Sequence, residues 1–355
     1  MTDRRPACLV TNVVSPYREE PFRLLCEAED VDIVAWGHTG PAPPGVRLRT
    51  PTQLGAARLA ASGRYRAVIC GMSGRVALPG SFLGARRARV PFVLWATIWA
   101  HPQTLAHALS WLPTRAIYRR ADAVATYGPH VSAYVAARRG TGDDVFVATQ
   151  AAAPLHLTPA EPAAHTDDRP LFLFVGRFER EKGIDDLLHA WRRSGLAAEA
   201  ELAFVGEGSL RGRIESAGAG VSVRGPLAAA DLPSLYAAAA ALVLPSVRTR
   251  TFLEPWGLVT NEAMHQGTAV VASDAVGAVA GGLVRDGRNG LVFPAGDVDA
   301  LATRLTTLAR NAELRSALGQ AARADAAPYT PDAWVDGMRQ ALAAAGAARP
   351  DQPVA

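Results

Sequence analysis

Short uninterrupted apolar runs recur along the chain, separated by stretches whose apolar positions repeat every three or four residues. In the first half the runs are ACLVT (7–11), VDIVAW (31–36), AVICG (67–71), PFVLWA (91–96), AVATY (123–127) and VFVAT (145–149). Runs this short, bounded by turn residues, predict strands buried on both faces. Helical patterns such as PFRLLCEA, LAHALSW and HVSAYVAARR fall between them. Alternating β and α segments imply a parallel sheet covered on both sides. The rhythm stops at 151–169, AAAPLHLTPAEPAAHTDDR, which reads as a linker. It restarts with LFLFVG, ELAFVGEG, VSVRG, ALVLPS, TAVVAS and GLVF, with helices expected at 184–194, 208–216, 231–240, 257–266 and 297–309. Two more are expected near 311–325 and 331–345, before a frayed tail at 346–355. The fold class that follows is α/β: two doubly wound sheets in tandem, with a ligand crevice at the carboxyl ends of the strands.

Composition narrows this. With 355 residues, 49% of them hydrophobic, the chain can fill two cores. No apolar run reaches the roughly 18 residues of a spanning helix, and the N-terminus lacks a signal-peptide pattern, so a cytoplasmic enzyme is expected. Cys8, Cys26 and Cys70 are scattered and show no metal spacing, which predicts reduced core thiols. Residues 1–165 carry 18 arginines against 11 acids, and residues 71–140 carry nine against the single Asp122. That stretch fits either peripheral contact with anionic lipid at the inner membrane surface or a solvated arginine face. Pro113, which interrupts the best amphipathic helix, favours the second. Nucleic acid is not an expected partner, because no recognition motif accompanies the charge. Lys182 is the only lysine among 37 basic residues, which points to a need for a compact ammonium there.

The chemistry concentrates in two segments. In LEPWGLVTNEAMHQGTAVVAS (253–273), Glu254 precedes a helix expected from about Gly257, and Glu262 lies inside it. The first-turn N–H groups of Gly257, Leu258 and Val259 lack intrahelical partners and, with the helix dipole, favour an anion. In FVGRFEREKGIDDLLHAW (174–191), a strand ends at Gly176, and the loop supplies Arg177, Lys182 and Gly183. Two cations and a helix N-terminus can hold a diphosphate without a metal.

The succession GR-F-x-x-x-K-G, G-E-G and E-P-W-G-L-V-x-N-E-A-M, over about residues 171–310, resembles the retaining glycosyltransferases of the GT-B fold, family GT4, of the "glycosyl transferases group 1" type. The resemblance implies an acceptor-binding domain over 1–160 and a donor-binding domain over 161–330, facing across a cleft, with 331–355 crossing back to the first. It implies transfer of a hexose-type sugar from a nucleotide-diphosphate sugar, commonly of uridine and alternatively of guanosine, to a saccharide, lipid-linked or small-metabolite hydroxyl. No cofactor or metal is implied. Residue by residue, Arg177 and Lys182 would contact donor phosphates, and Glu254 the sugar hydroxyls near the reacting carbon. Glu262 would bind the ribose, and amides at Gly257 and Leu258 the terminal phosphate, with Val259 also at the donor. Gly176, Gly206 and the Arg224 segment would edge the donor, with Asp274 and Gly277 in a short loop close by.

The first half matches only in architecture and in its SPYR start. His101, in the loop after PFVLWA, is the candidate to reach the donor sugar, and an ordinary surface histidine is the other reading. The loop NVVSPYR replaces the Gly-Gly loop of many relatives, so Ser15, Tyr17 and Arg18 are candidate acceptor contacts. Asp30-Val31-Asp32 and Asp297-Val298-Asp299 are D-x-D strings, read here as structural. Gly206-Glu207-Gly208 is followed by Gly212, one residue late for a dinucleotide fingerprint, which argues against an oxidoreductase. The competing readings are a nucleotide-sugar epimerase of the same fold and a non-catalytic nucleotide-sugar-binding protein.

Overall fold

The structure, a computed structural model, describes residues 4–164 and 169–347, and only the backbone of residues 105–109. It forms two compact units: residues up to Ala153 together with those from Thr330 onward, and Pro154–Tyr329.

The first unit alternates β1 (Ala7–Thr11), α1 (Glu19–Glu29), β2 (Val31–Ala35), β3 (Leu48–Arg49), α2 (Gln53–Ala60), β4 (Val68–Gly71), α3 (Ala77–Ala88), β5 (Phe92–Ala96), α4 (Leu105–Arg120), β6 (Ala123–Thr126), α5 (Pro129–Arg139) and β7 (Val145–Val147). Its strands lie in the order β3-β2-β1-β4-β5-β6-β7, all parallel. The order reverses between β1 and β4, which opens a crevice at their carboxyl ends. Two-residue β3 has no apolar run to announce it and is half exposed at the sheet edge.

The second unit runs β8 (Leu171–Val175), α6 (Ile184–Ser194), β9 (Glu201–Val205), α7 (Arg211–Glu215), β10 (Val221–Val223), α8 (Leu232–Ala238), β11 (Ala241–Leu244), α9 (Val259–His265), β12 (Val270–Ser273), α10 (Gly277–Ala280), β13 (Gly290–Phe293), α11 (Val298–Arg310) and α12 (Ala312–Ala326). Its parallel sheet has the order β10-β9-β8-β11-β12-β13, with the reversal between β8 and β11. Strand alternation divides β8 between two cores: Phe172 and Phe174 pack with α6 and α11 on one face, and Leu171, Leu173 and Val175 with Tyr236 on the other.

The last helix, α13 (Pro331–Ala344), belongs to the first unit. Trp334, Met338 and Leu342 enter the core beside Phe22 and Trp95. Gly337 allows this approach, since a Cβ there would stand 2.2 Å from the Val147 carbonyl oxygen. Much of the expected linker is not loose. Gln266 donates to the carbonyls of His156 and Thr158 and accepts from Ala160 N, and Ala163 N donates to the Ser234 carbonyl, so 154–163 lie along α8 and α9.

No helix among the described residues is long and apolar enough to cross a membrane. Part of the arginine-rich stretch has local work. Arg139 caps the carbonyls of Tyr118 and Ala121, Arg86 pairs with Asp122, and Arg138 lies over the Tyr134 ring.

Candidate functional site

The residues singled out in the second half converge where the loops leave the carboxyl ends of β8, β11 and β12. After β8, Phe178 buries in the core and anchors the loop, and a single 3-10 turn, Arg180–Lys182, follows. Gly183 then takes φ +70, and a Cβ there would lie 1.9 Å from the Pro245 carbonyl oxygen. Only glycine permits this approach. Val247 N donates to the Glu181 carbonyl at 3.0 Å, so the loop is laced to the segment after β11. Lys182 is thereby delivered with Nζ 2.5 Å from Glu254 Oε2.

Glu254 is held from several sides. Its backbone bridges to Val276 in parallel fashion, and its carbonyl accepts from Gly277 N. Gly277 is needed there, because a Cβ would stand 2.0 Å from the Pro255 carbonyl oxygen. Ser246 Oγ donates to Glu254 Oε2 at 2.9 Å, and Ser273 Oγ in turn donates to the Ser246 carbonyl. The carboxylate is only 7% exposed, so its charge is balanced locally by the ammonium and the hydroxyl rather than by water.

The helix expected from Gly257 begins later. Gly257 has φ +89, outside helical geometry, Leu258 is the cap, and α9 starts at Val259. Gly257 also lies against Leu244, at the end of the strand whose next residue meets Gly183. Among the described residues no group accepts from the N–H groups of Gly257, Leu258 or Val259. Trp256, buried, donates to Asn261 Oδ1 at 2.6 Å and fixes the turn.

Glu262 lies in the first turn of α9, in a separate buried group. Tyr236 donates to its Oε2 at 2.8 Å, and His156 Nε2 stands 3.9 Å from Oε1. Burial raises the Glu262 pKa, opposed by the tyrosine hydrogen bond. Burial, with His265 nearby, lowers the His156 pKa to about 4. A neutral imidazole at 3.9 Å forms neither an ion pair nor a hydrogen bond with the carboxylate.

Other predicted residues fall elsewhere. Arg177 is 62% exposed and pairs with Glu181 at 2.8 Å, not with Glu254. Gly176 and Gly206 form a tight crossing of loops: a Cβ on Gly206 would lie 2.0 Å from the Gly176 carbonyl oxygen. Arg224 is engaged by Glu201 at 3.1 Å. Asp274 accepts from Ala295 N at 2.9 Å. His101, in the first unit, packs against the Trp111 ring. Ser15, Tyr17 and Arg18 line one pocket of the first unit. Both D-x-D strings have structural partners. Asp30 pairs with Arg47, and Asp32 with Arg47, Arg49 and Tyr65. Asp297 caps α11, and Asp299 pairs with Arg193.

Ser246, Tyr236 and His156 escaped the sequence reading. Ser246 closes the ALVLPS run, and its place just after a strand was the available signal. Tyr236 sits inside a helix and His156 inside the apparent linker, where nothing in the pattern distinguishes them.

Residues 160–325 match the family model described as "Glycosyl transferases group 1". The chain is 32% identical over 183 residues to sulfoquinovosyl transferase SQD2 of Arabidopsis thaliana, covering 49% of this chain and 32% of that protein. It is 35% identical over 151 residues to alpha-maltose-1-phosphate synthase of Mycolicibacterium smegmatis, covering 39% of this chain and 37% of that protein. The aligned parts thus span only about a third of these relatives. Among solved structures, HepE of Anabaena in complex with UDP-glucose superposes with a TM-score of 0.75 at 17% identity, covering 96% of this chain and 100% of that one. Sucrose-phosphate synthase of Thermosynechococcus elongatus gives 0.72 at 21%, covering 95% and 98%. At such identities the likeness is one of fold: two Rossmann-like parallel-sheet domains of the GT-B kind.

Proposed function

Because residues 160–325 belong to the glycosyl transferases group 1 family, we propose that the protein is a glycosyltransferase. It takes a hexose-type sugar from a nucleotide-diphosphate donor, a UDP-sugar for preference, and passes it to an acceptor hydroxyl with retention of configuration. The observation that carries this is the Lys182–Glu254–Ser246 cluster at the carboxyl edge of the second sheet. SQD2, as a sulfoquinovosyl transferase, and HepE, bound to UDP-glucose, support the reading by analogy.

The chemistry follows from the charges. As the bond between the anomeric carbon and the phosphate oxygen breaks, its electron pair goes to the diphosphate, and positive charge develops on the sugar ring. One Lys182 N–H addresses Glu254, and the remaining two can address the departing phosphate. The free amides at 257–259 add donors to the same anion. Glu254, fixed by Ser246, accepts from sugar hydroxyls, and Glu262, beside Tyr236, from the ribose. The acceptor oxygen bonds to the anomeric carbon on the face the phosphate leaves, and its proton passes to a phosphate oxygen. The two glutamates serve different parts of the donor, so neither is assigned as a covalent nucleophile.

A thermal-shift panel of nucleotide sugars, paired with assays of slow donor hydrolysis and transfer, tests the proposal. The expected result is one nucleotide diphosphate that stabilises the fold and whose sugar is released by the native protein but not by Glu254→Ala. Turnover of the donor to its epimer without acceptor, or binding with neither hydrolysis nor transfer, would instead identify an epimerase or a non-catalytic binder.

A further inference from the structure

In the first unit, the crevice where the sheet order reverses between β1 and β4 holds a pocket of about 140 Å³. Arg18 lines it. This arginine closes the 3-10 turn Pro16–Arg18 and is only 3% exposed. Its guanidinium lies among four aromatic rings, 4.7 Å from Trp95, 5.0 Å from Tyr17, and 5.5 Å from both Tyr127 and Trp334. Nη2 donates to Gln150 Oε1 at 2.8 Å. Nη1 is buried and has no hydrogen-bond partner among the described residues. No carboxylate of the described residues pairs with Arg18, whereas the other deeply buried arginine, Arg66, is matched by Glu29.

An arginine cannot shed its proton to escape burial, and a buried charge is ordinarily matched by an opposite one. Aromatic faces offset part of the cost, but they supply no full counter-charge. A planar guanidinium with a spare donor, at the ligand-binding edge of a parallel sheet, suits an oxyanion. The same pocket is lined by the hydroxyl-bearing Ser15, Ser73 and Thr97 and by Asn12, groups suited to a hydroxylated molecule.

We propose that this pocket receives an acidic acceptor, a hydroxylated compound whose phosphate or carboxylate is neutralised by Arg18. The acceptor assignment rests on the transferase reading; the oxyanion site stands on its own geometry.

Calorimetric titration tests it on the full chain carrying Lys182→Ala, which removes the competing ammonium of the second unit. The probes are a hexose 6-phosphate, a hexuronate and the parent neutral hexose, at constant ionic strength. At least one acidic hexose is expected to bind about tenfold or more tighter than the neutral one, and which of the two identifies the anion. Adding Arg18→Gln should remove that preference. Ser15→Asp, which places a carboxylate in the pocket wall and leaves the buried arginine untouched, should do the same, and it decides the matter if the Arg18 variant does not fold. Equal binding of all three hexoses, or an undiminished preference in the Ser15→Asp protein, overturns the proposal. A nucleotide-sugar panel on the native chain separates the two readings. No donor binding with an intact anion preference sinks the transferase reading alone, and the reverse result sinks the pocket alone.

Discussion

Lys182 Nζ lies 2.5 Å from Glu254 Oε2, although 72 positions separate the two residues in the chain. Each holds the other's charge in place, so they act as a unit. Lys182→Ala and Glu254→Ala should each reduce transfer by about 10²–10³, the scale for losing a preorganised electrostatic contact. The double variant should be little worse than the poorer single one, since groups that work together are not additive. Steady-state kinetics on the four proteins, with circular dichroism to establish folding, checks this; full additivity would separate the two roles.

Gly183→Ala should damage both stability and activity. The position has φ +70 and a Cβ would fall 1.9 Å from a backbone oxygen, so the loop must move, and Lys182 with it. A cost of about 1–3 kcal/mol in stability is expected from the backbone conformation alone. Thermal melting and transfer rate measured on the same sample test it, and an unchanged rate would show that the lysine's position is not set by this contact.

Tyr236→Phe removes the hydroxyl that donates to Glu262. If Glu262 holds the ribose, donor KM should rise about tenfold or more, because a hydrogen bond to a charged group contributes about 1.5–3 kcal/mol. The value of kcat should change little, since the ribose is remote from the bond being broken. A fall in kcat at constant KM would place Glu262 nearer the reaction.

His156 has a native pKa of about 4, below its ordinary value of 6.5, so the folded state prefers the neutral ring. The unfolded chain then binds more protons between those values, and stability falls as pH drops through this window. Relative to His156→Gln, the native protein should lose about 2–3 kcal/mol between about pH 7 and pH 4. The comparison with the variant removes the opposite contribution of Glu262, whose raised pKa favours the folded state at low pH. Urea melts at the two pH values would refute the assignment if both proteins changed alike.

Chelation should leave transfer intact, because the diphosphate's charge is assigned to Lys182 and the amides before α9. An assay with and without EDTA, followed by re-addition of magnesium or manganese, gives the answer; activity that requires either ion would reopen the question of which carboxylates bind it.

Both sheets, nearly all their strands and the two loops that carry Lys182 and Glu254 were legible in the sequence, because buried parallel strands leave unbroken apolar runs and the Gly-, Lys- and Glu-bearing loops sit at fixed offsets from them. Two-residue β3 left no such run, and the start of α9 was misplaced by two residues because Gly257 adopts a left-handed turn just before it. Tertiary structure alone decided which side chains face one another. It joined Lys182 to Glu254 and Ser246, kept Arg177 with Glu181, and wrapped Arg18 in rings drawn from the turn before α1, from β5, from the residue after β6 and from α13. The physical reason is range. Hydrophobic periodicity and turn chemistry are local and are written along the chain, whereas a charge's partner is chosen by packing between segments tens to hundreds of residues apart.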